Sequence, residues 1–217
     1  MKPFKPPVAV ATRAILALTF AVQVAMTLIG PRAEAEVAVA AGLIPLRVVQ
    51  GIDGPIPAVL TLLTSVFIHA GWLHLGLNLV FLAWVGKYVE WVVGRWRFVL
   101  LYLGGGVAGG LLQVAAAPQS ASVVVGASGA IAAIFGCYAV LFARSRAKGQ
   151  RVFGVDVSSE AATAIWFAAV WIGLQLLTGY VFGGMGQGVA IWAHVGGFVT
   201  GLVFAQPFVR GAPKIEP

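Results

Sequence analysis

One hydroxyl group in this chain stands out because of its surroundings. Ser128 lies in the apolar stretch VVVGASGAIAAIFG, residues 123–136, close to Gly126 and directly before Gly129. A polar side chain at membrane depth is costly and usually faces a bundle interior or a wet cavity. A serine hydroxyl becomes a useful nucleophile only when a base such as an imidazole lies within hydrogen-bond reach. Ser128 is therefore a candidate nucleophile that needs a histidine from elsewhere in the chain.

His194 is the predicted base for Ser128. In the sequence HVGGFVTG, His194, Gly197 and Gly201 recur at i, i+3 and i+7. The histidine thus shares a helical stripe with glycines, which allow a neighbouring backbone to come close. Ser128 shares its own helical face with small residues at i+4 and i+8. These two faces predict a close contact between the helix that carries the serine and the helix that carries the histidine.

Attack by a serine on a carbonyl would place negative charge on oxygen, and preorganised hydrogen-bond donors must stabilise that charge. His74 and Asn78, at i and i+4, share one helix face and are predicted to supply side-chain N–H groups. The backbone amide of Ser128, at the start of a helix, supplies another donor. Gly126 and Gly129 keep this turn open to an approaching backbone.

The composition excludes an ordinary soluble domain. The chain is 60% hydrophobic and 10% charged, whereas about 25% of the residues in soluble domains are charged. A membrane-spanning helix needs roughly 17–25 mostly apolar residues, and six such stretches fill residues 1–217 as a single membrane domain. We therefore predict an all-α, polytopic six-helix bundle with spans at about 10–30, 73–93, 98–117, 126–143, 161–182 and 189–209.

Two connections in this bundle have unusual compositions. Residues 31–72 form a long segment with several short apolar patches, which we predict to be helices in the outer interface rather than disordered chain. Residues 183–188, GGMGQG, form a glycine-rich outer loop that is a candidate mobile gate.

The net charge of +7 indicates a membrane orientation rather than a nucleic-acid partner. Basic residues cluster at the span ends, for example from Arg144 to Arg151, and do not form one stripe, so no nucleic acid is predicted to bind. Alternating spans would place nearly all of them on one side, which predicts two cytoplasmic termini. The first span lacks a clear cleavage site and is predicted to be retained. A bacterial inner membrane is the expected location.

The alternating topology also predicts a Ser–His dyad. It places Ser128, His194, His74 and Asn78 at similar depth, towards the outer leaflet. Glu90 is the one carboxylate within a predicted span, and it should lie near the cytoplasmic side. The orientation of the imidazole is therefore left to packing and backbone contacts.

Three motifs together resemble the rhomboid family of intramembrane serine proteases. They are HAGWLHLGLN at 69–78, GASG at 126–129 and AHVGG at 193–197, with the order, spacing and membrane context of that family. The resemblance implies that Ser128 is the nucleophile and His194 the general base. It also implies that His74, Asn78 and the Ser128 amide form the oxyanion hole.

The resemblance gives other residues structural roles. The segment GKYVEWVVGRWRF at 86–98 implies a hydrogen-bonding or ion-pairing role for Glu90, and His69 matches a histidine that the family uses near the outer loop. The predicted packing residues are four glycines of the two small-residue motifs: Gly126, Gly129, Gly197 and Gly201.

One position departs from the family pattern. Four residues after the serine, relatives often have an aromatic ring against which the base stacks, but this chain has Ala132. Phe135 and Tyr138 are the candidate replacements for that ring.

The predicted function is hydrolysis of peptide bonds within other membrane proteins. Such a carbonyl becomes available only where a transmembrane helix unwinds. The expected partners are therefore the lipid bilayer and single-span substrates with helix-weakening residues near their outer ends. The span at 161–182 is the candidate lateral gate. No cofactor and no metal are predicted.

Other functions are compatible with parts of this pattern. A non-catalytic rhomboid-like protein that binds membrane clients would be compatible with Ala132. The histidines could bind zinc, but His69 and His74 diverge on an ideal helix and no nearby carboxylate or thiolate completes a site. A solute transporter would be expected to show a charge at mid-span or an internal repeat, and neither is evident.

Overall fold

A computed structural model of the chain describes residues 8–143, 150–152, 155–157, 166–167, 169–171, 173 and 190–210. The predicted gate loop at 183–188 and most of the basic loop from Arg144 to Arg151 lie outside these residues. The predicted fifth span is described only in part, at helical residues between 166 and 173.

The described residues form a helical bundle. Its α-helices with described ends are α1 (Val10–Leu28), α2 (Pro31–Ala41), α3 (Pro45–Gln50), α4 (Thr61–Thr64), α5 (Trp72–Val93), α6 (Arg95–Ala116), α7 (Ser128–Ala143) and α8 (Ile191–Arg210). Single 3-10 turns at Ala58–Leu60 and Ser65–Phe67 flank α4. An antiparallel hairpin pairs β1 (Gln150–Val152) with β2 (Val155–Val157). The predicted all-α membrane bundle is confirmed, and the short hairpin is an addition that the sequence did not predict.

The length and burial of the helices distinguish the rim of the bundle from its centre. Four described helices are long and apolar enough to cross a membrane, namely Val10–Leu28, Trp72–Val93, Arg95–Ala116 and Ile191–Phe208. The apolar α7 is shorter, at 16 residues, and each residue from Ala130 to Phe135 is at most 2% exposed. Because α5, α6 and α8 all pack against it, α7 forms the centre of the bundle.

Arg47 holds together the segment between α1 and α5. Its guanidinium donates hydrogen bonds to the carbonyl oxygens of Val39 at 3.1 Å and of Ile52 and Ile56, both at 3.2 Å. Three carbonyls from separate turns are thus tied to one side chain. This segment contains the short helices α2, α3 and α4, and its depth in the outer interface remains a prediction.

The same segment fixes the chain that leads into α7. Leu43 and Val124 exchange two backbone hydrogen bonds, at 2.9 and 2.8 Å, and the N–H of Gly126 donates to the carbonyl oxygen of Ser65 at 2.9 Å. Buried or half-buried backbone groups need such partners. The residues just before Ser128 are therefore held by the segment between α1 and α5.

Glu90 joins the end of α5 to the beginning of α1. Its buried carboxylate accepts hydrogen bonds from the backbone N–H groups of Ala11 at 2.8 Å and Thr12 at 2.7 Å, and from the Thr12 hydroxyl at 2.7 Å. The first N–H groups of a helix have no partner within the helix, and the helix dipole favours an anion there. Glu90 thus accepts hydrogen bonds from buried N–H groups of α1 that have no partner within that helix, and it attaches α1 to the bundle.

We predict that Glu90→Ala lowers the free energy of unfolding by about 2–3 kcal/mol, because it leaves buried donors without an acceptor. Glu90→Gln should lower the free energy of unfolding by less, since its amide oxygen can still accept hydrogen bonds. Denaturant titration of the detergent-solubilised protein, followed by circular dichroism, measures both changes. The control is Glu36→Ala, which removes an exposed ion pair to Arg32 and should have little effect. Equal losses in Glu90→Ala and Glu36→Ala would contradict the proposed role of Glu90 in attaching α1.

Candidate active site

Ser128 and His194 are in hydrogen-bond contact. Ser128 is the first residue of α7, and His194 lies in the first turn of α8. Ser128 Oγ lies 2.6 Å from His194 Nε2, which is a short hydrogen-bond distance. The serine is half-buried and the histidine is buried. In the tautomer that carries its proton on Nδ1, Nε2 can accept the proton of the hydroxyl group.

The contact between these two side chains depends on the close approach of α7 and α8. A β-carbon at Gly197 would overlap the carbonyl oxygen of Gly129, and a β-carbon at Gly201 would overlap the carbonyl oxygen of Ala133. From the other side, a β-carbon at Gly129 would lie 3.2 Å from the carbonyl oxygen of Ala193. The two backbones touch because these positions have no side chain.

His74 flanks the turn that precedes Ser128. Its Nδ1 lies 3.4 Å from the backbone nitrogen of Ala70, so the neutral ring that accepts there carries its proton on Nε2. This Nε2 lies 2.9 Å from the position that a β-carbon of Gly126 would occupy, and Ser128 Oγ lies 3.7 Å from the same position. Gly126 has φ +124°, which also favours glycine. A side chain at Gly126 would therefore push into the ring of His74.

Asn78 lies one turn after His74 on α5 and is buried. Its Nδ2 donates a hydrogen bond to the backbone carbonyl oxygen of His74 at 2.8 Å. An amide nitrogen carries two hydrogens, so this bond orients the group and engages one of them. The two predicted donors thus lie on adjacent turns of one helix.

His69 holds the chain immediately before Ser128. Its ring is 2% exposed, and Nε2 accepts a hydrogen bond from the backbone N–H of Ala127 at 3.3 Å. Burial, with a smaller effect from nearby His74, lowers the pKa of His69 to about 3. The neutral ring is therefore retained as an acceptor. These contacts indicate a structural position beside the Ser128–His194 pair rather than within it.

Two residues that the sequence analysis did not single out hold the region around His194. Gln113 on α6 accepts, through Oε1, a hydrogen bond from the backbone N–H of Ala193 at 3.3 Å. The ring of Trp171 contacts the ring of His194 edge to face, with centroids 6.1 Å apart and planes at 74°. Gln113 could have been noticed in the sequence because it is a polar residue in the apolar α6. Nothing in the sequence distinguished Trp171 from the other tryptophans of the predicted spans.

Phe135 and Tyr138, the two predicted replacements for an aromatic ring at position 132, have no described ring contact with His194. Phe135 contacts Trp171 at a centroid distance of 5.4 Å, and Tyr138 stacks on Phe135 at 6.3 Å. Ala132 itself presents only a methyl group, 3.2 Å from the position of a β-carbon at Gly197. The ring contact described for His194 is the one with Trp171.

The remaining predicted site residue, Glu90, lies at the opposite end of α5 from His74 and is bound to α1. Among the described residues, His194 Nδ1 has no hydrogen-bond partner. The described part of the chain also contains no group of three histidine, cysteine or carboxylate side chains that could hold a metal ion. The arrangement can therefore support proton transfer between a hydroxyl and an imidazole, with nearby N–H groups at the Ser128 turn.

The chain is similar to one protein family and to several proteins named after it. The Rhomboid domain model matches residues 57–211. Rhomboid-like protein 11, chloroplastic, from Arabidopsis thaliana is 33% identical over 149 residues, which are 68% of this chain and 51% of that protein. Putative rhomboid protease YdcA from Bacillus subtilis (strain 168) is 29% identical over 147 residues, 67% of each protein. Rhomboid-like protease 5 from Toxoplasma gondii is 32% identical over 148 residues, 67% of this chain but 16% of that protein. The chain thus spans about half or less of the length of two of these relatives.

We predict that Gly201→Ala separates α7 from α8, because the added methyl group meets the carbonyl oxygen of Ala133. Overpacking of this kind typically costs about 1–3 kcal/mol, and a shift of about 1 Å between reacting groups can lower a rate about 100-fold. Thermal unfolding and the reactivity of Ser128 towards a fluorophosphonate measure the two effects. Gly104→Ala is the matched control, since nothing lies within 4 Å of its β-carbon position. Equal melting temperatures and equal labelling rates of Gly201→Ala and Gly104→Ala would refute the role of the glycine contact.

Proposed function

This chain belongs to the rhomboid family, and we propose that it is a serine endopeptidase that cleaves transmembrane segments of other membrane proteins. It is an integral, multi-pass membrane protein, and its relatives include proteins named as rhomboid proteases. The observation that carries the proposal is the 2.6 Å contact between Ser128 Oγ and His194 Nε2. This contact joins a serine at the start of the apolar α7 to a buried histidine in the first turn of α8.

In the proposed reaction, Ser128 Oγ attacks the scissile carbonyl carbon while His194 Nε2 takes the hydroxyl proton. The tetrahedral intermediate collapses when the C–N bond breaks and the imidazolium gives its proton to the departing amine. Water, deprotonated by the same imidazole, then hydrolyses the acyl-enzyme ester and restores the serine. Each proton transfer in this scheme uses only Ser128 and His194. The proposed catalytic unit is therefore a dyad, without a carboxylate partner for His194.

The proposed oxyanion hole consists of His74, Asn78 and the backbone amide of Ser128. Ser128 begins α7, and the first N–H groups of a helix are available to a ligand. His74 carries its remaining ring nitrogen next to Gly126, near Ser128 Oγ. Donors of this kind stabilise the charge that develops on the substrate oxygen.

The proposed substrates are single-span membrane proteins. A peptide carbonyl within a transmembrane helix is already hydrogen-bonded, and exposing it inside the bilayer is costly. Half-buried Ser128 can be reached by a segment that has lost its helical hydrogen bonds. Helix-weakening residues near the outer end of the substrate would therefore favour cleavage. We further propose cytoplasmic termini and a bacterial inner membrane, following the distribution of basic residues.

We predict that the purified protein in liposomes cleaves a single-span model substrate and reacts with a fluorophosphonate at Ser128. Ser128→Ala should remove both activities, and His194→Ala should lower cleavage at least about 1,000-fold, because the hydroxyl then lacks its base. Gel analysis of cleavage and mass spectrometry of the labelled residue measure the outcomes.

The control for this experiment is Gly104→Ala, whose added methyl group enters open space. Cleavage that persists in both Ser128→Ala and His194→Ala would exclude the protease assignment. Absence of labelling and of cleavage in the unmodified, folded protein would favour a non-catalytic member of the family that binds membrane clients.

We also predict that His74→Ala and Asn78→Ala each lower kcat about 100-fold with little change in KM, because these donors act on charge that exists only in the transition state. Steady-state cleavage of the model substrate provides both constants. Gly76→Ala, between them on α5 with nothing within 4 Å of its β-carbon position, should keep both constants. A change confined to KM would argue against an oxyanion hole at these residues.

A further inference from the structure

The imidazole of His194 is held at one edge by a hydrogen bond and elsewhere by packing. Nε2 meets Ser128 Oγ, but Nδ1 has no hydrogen-bond partner within the described residues. A ring with one polar contact can still rotate about its χ2 bond unless neighbouring atoms restrict it. The residues that pack on the ring therefore determine whether Nε2 points at the hydroxyl.

Trp171 is the aromatic residue packed on His194. It is 8% exposed, and its ring meets the imidazole edge to face. The same indole stacks on Phe198, with planes at 9° and centroids 6.0 Å apart. Phe198 lies one turn after His194 on α8, so one indole contacts two consecutive turns of the helix that carries the base.

The helical segment around Trp171 presents this ring inwards. Trp171 and Phe167 are at i and i+4 and therefore share a helix face, and both rings contact Phe135 of α7. Trp166, next to Phe167 in the chain, is 66% exposed. Phe81 of α5 also contacts Trp171, at a centroid distance of 6.1 Å. Rings from three other helices thus fix the indole in place.

On α7 itself, the residue four positions after Ser128 supplies no ring. Ala132 is fully buried, and its methyl group lies against Gly197 of α8. The aromatic ring described in contact with His194 comes instead from Trp171, in a different helical segment.

We propose that Trp171 is a positioning residue for His194 and supplies, from the fifth helical segment, the aromatic support that Ala132 does not. The proposal depends on the proposed function, because it assigns Trp171 to the orientation of the base. Trp171 takes no part in proton transfer. Its ring restricts the imidazole to the orientation in which Nε2 faces Ser128 Oγ.

The test compares the full-length protein with Trp171→Leu, Trp171→Phe and the matched control Phe167→Leu in detergent. Phe167 shares the inward face and the Phe135 contact but has no described contact with His194. The first measurement is the second-order rate of fluorophosphonate labelling at Ser128, which requires the Ser–His pair but no substrate helix. The second is kcat and KM for a single-span substrate.

We expect Trp171→Leu to lower the labelling rate and kcat about threefold to tenfold, the range for loss of one aromatic pair, with KM unchanged within twofold. For Trp171→Phe, the logarithm of the labelling rate should fall by about half as much, since a smaller ring remains. The labelling rate of Phe167→Leu should be within twofold of that of the original protein. Melting temperatures of all variants establish that they are folded. If Trp171→Leu does not fold, Trp171→Met replaces it, because the flexible methionine side chain can fill irregular space.

Equal labelling of the original protein and Trp171→Leu would overturn the proposal. Equal losses in Trp171→Leu and Trp171→Phe would also overturn it, because an aromatic ring at position 171 would then have no advantage over an aliphatic side chain. A change in KM alone would overturn it as well. In each of these cases, Ser128-dependent labelling would leave the proposed function intact. Labelling of the original protein that Ser128→Ala does not remove would instead overturn the proposed function and this proposal together.

Discussion

The site depends on direct contact between the backbones of two helices. Side chains usually keep the axes of packed helices about 8–10 Å apart, whereas small residues let two backbones come closer. In α7 and α8, Gly197 and Gly201 face the carbonyl oxygens of Gly129 and Ala133. The resulting close approach lets a hydroxyl on one helix meet an imidazole on the other. A methyl group at either glycine changes the distance on which the proposed chemistry depends.

The start of α7 needs a second constraint, because a helix end is the part of a helix that most easily frays. The segment between α1 and α5 provides it through the backbone of Leu43 and Ser65 and through the ring of His69. These groups bind Val124, Gly126 and Ala127, one after another, up to the residue before the serine. Arg47 in turn holds the segment between α1 and α5 together. The position of Ser128 is therefore fixed from outside the bundle as well as from α8.

Within the described part of the chain, the imidazole of His194 meets the Ser128 hydroxyl and an aromatic ring, and its Nδ1 has no hydrogen-bond partner. Gln113 holds the backbone next to His194, and Trp171 covers the ring. A carboxylate in this setting would carry a charge at membrane depth, which is costly. Packing can orient an imidazole without that cost, although it requires that several helices keep their positions. This requirement connects the arrangement of the whole bundle to the geometry of two side chains.

The sequence alone predicted the helical membrane bundle, since the long apolar stretches permit little else, and it predicted the family from three motifs. It also identified Ser128, His194, His74 and Asn78 as candidates, because polar groups in apolar helices are few and their helical spacing defines their faces. It did not identify Trp171 or Gln113, whose contacts join residues far apart in the chain. It also did not predict the partners of Glu90, which lie 78 and 79 residues away in the chain. It did not predict the role of Arg47 either, because helical periodicity does not define the path of the turns that carry its acceptors at Ile52 and Ile56. Helical periodicity determines which face a residue occupies, but only the tertiary structure determines which other helix that face meets.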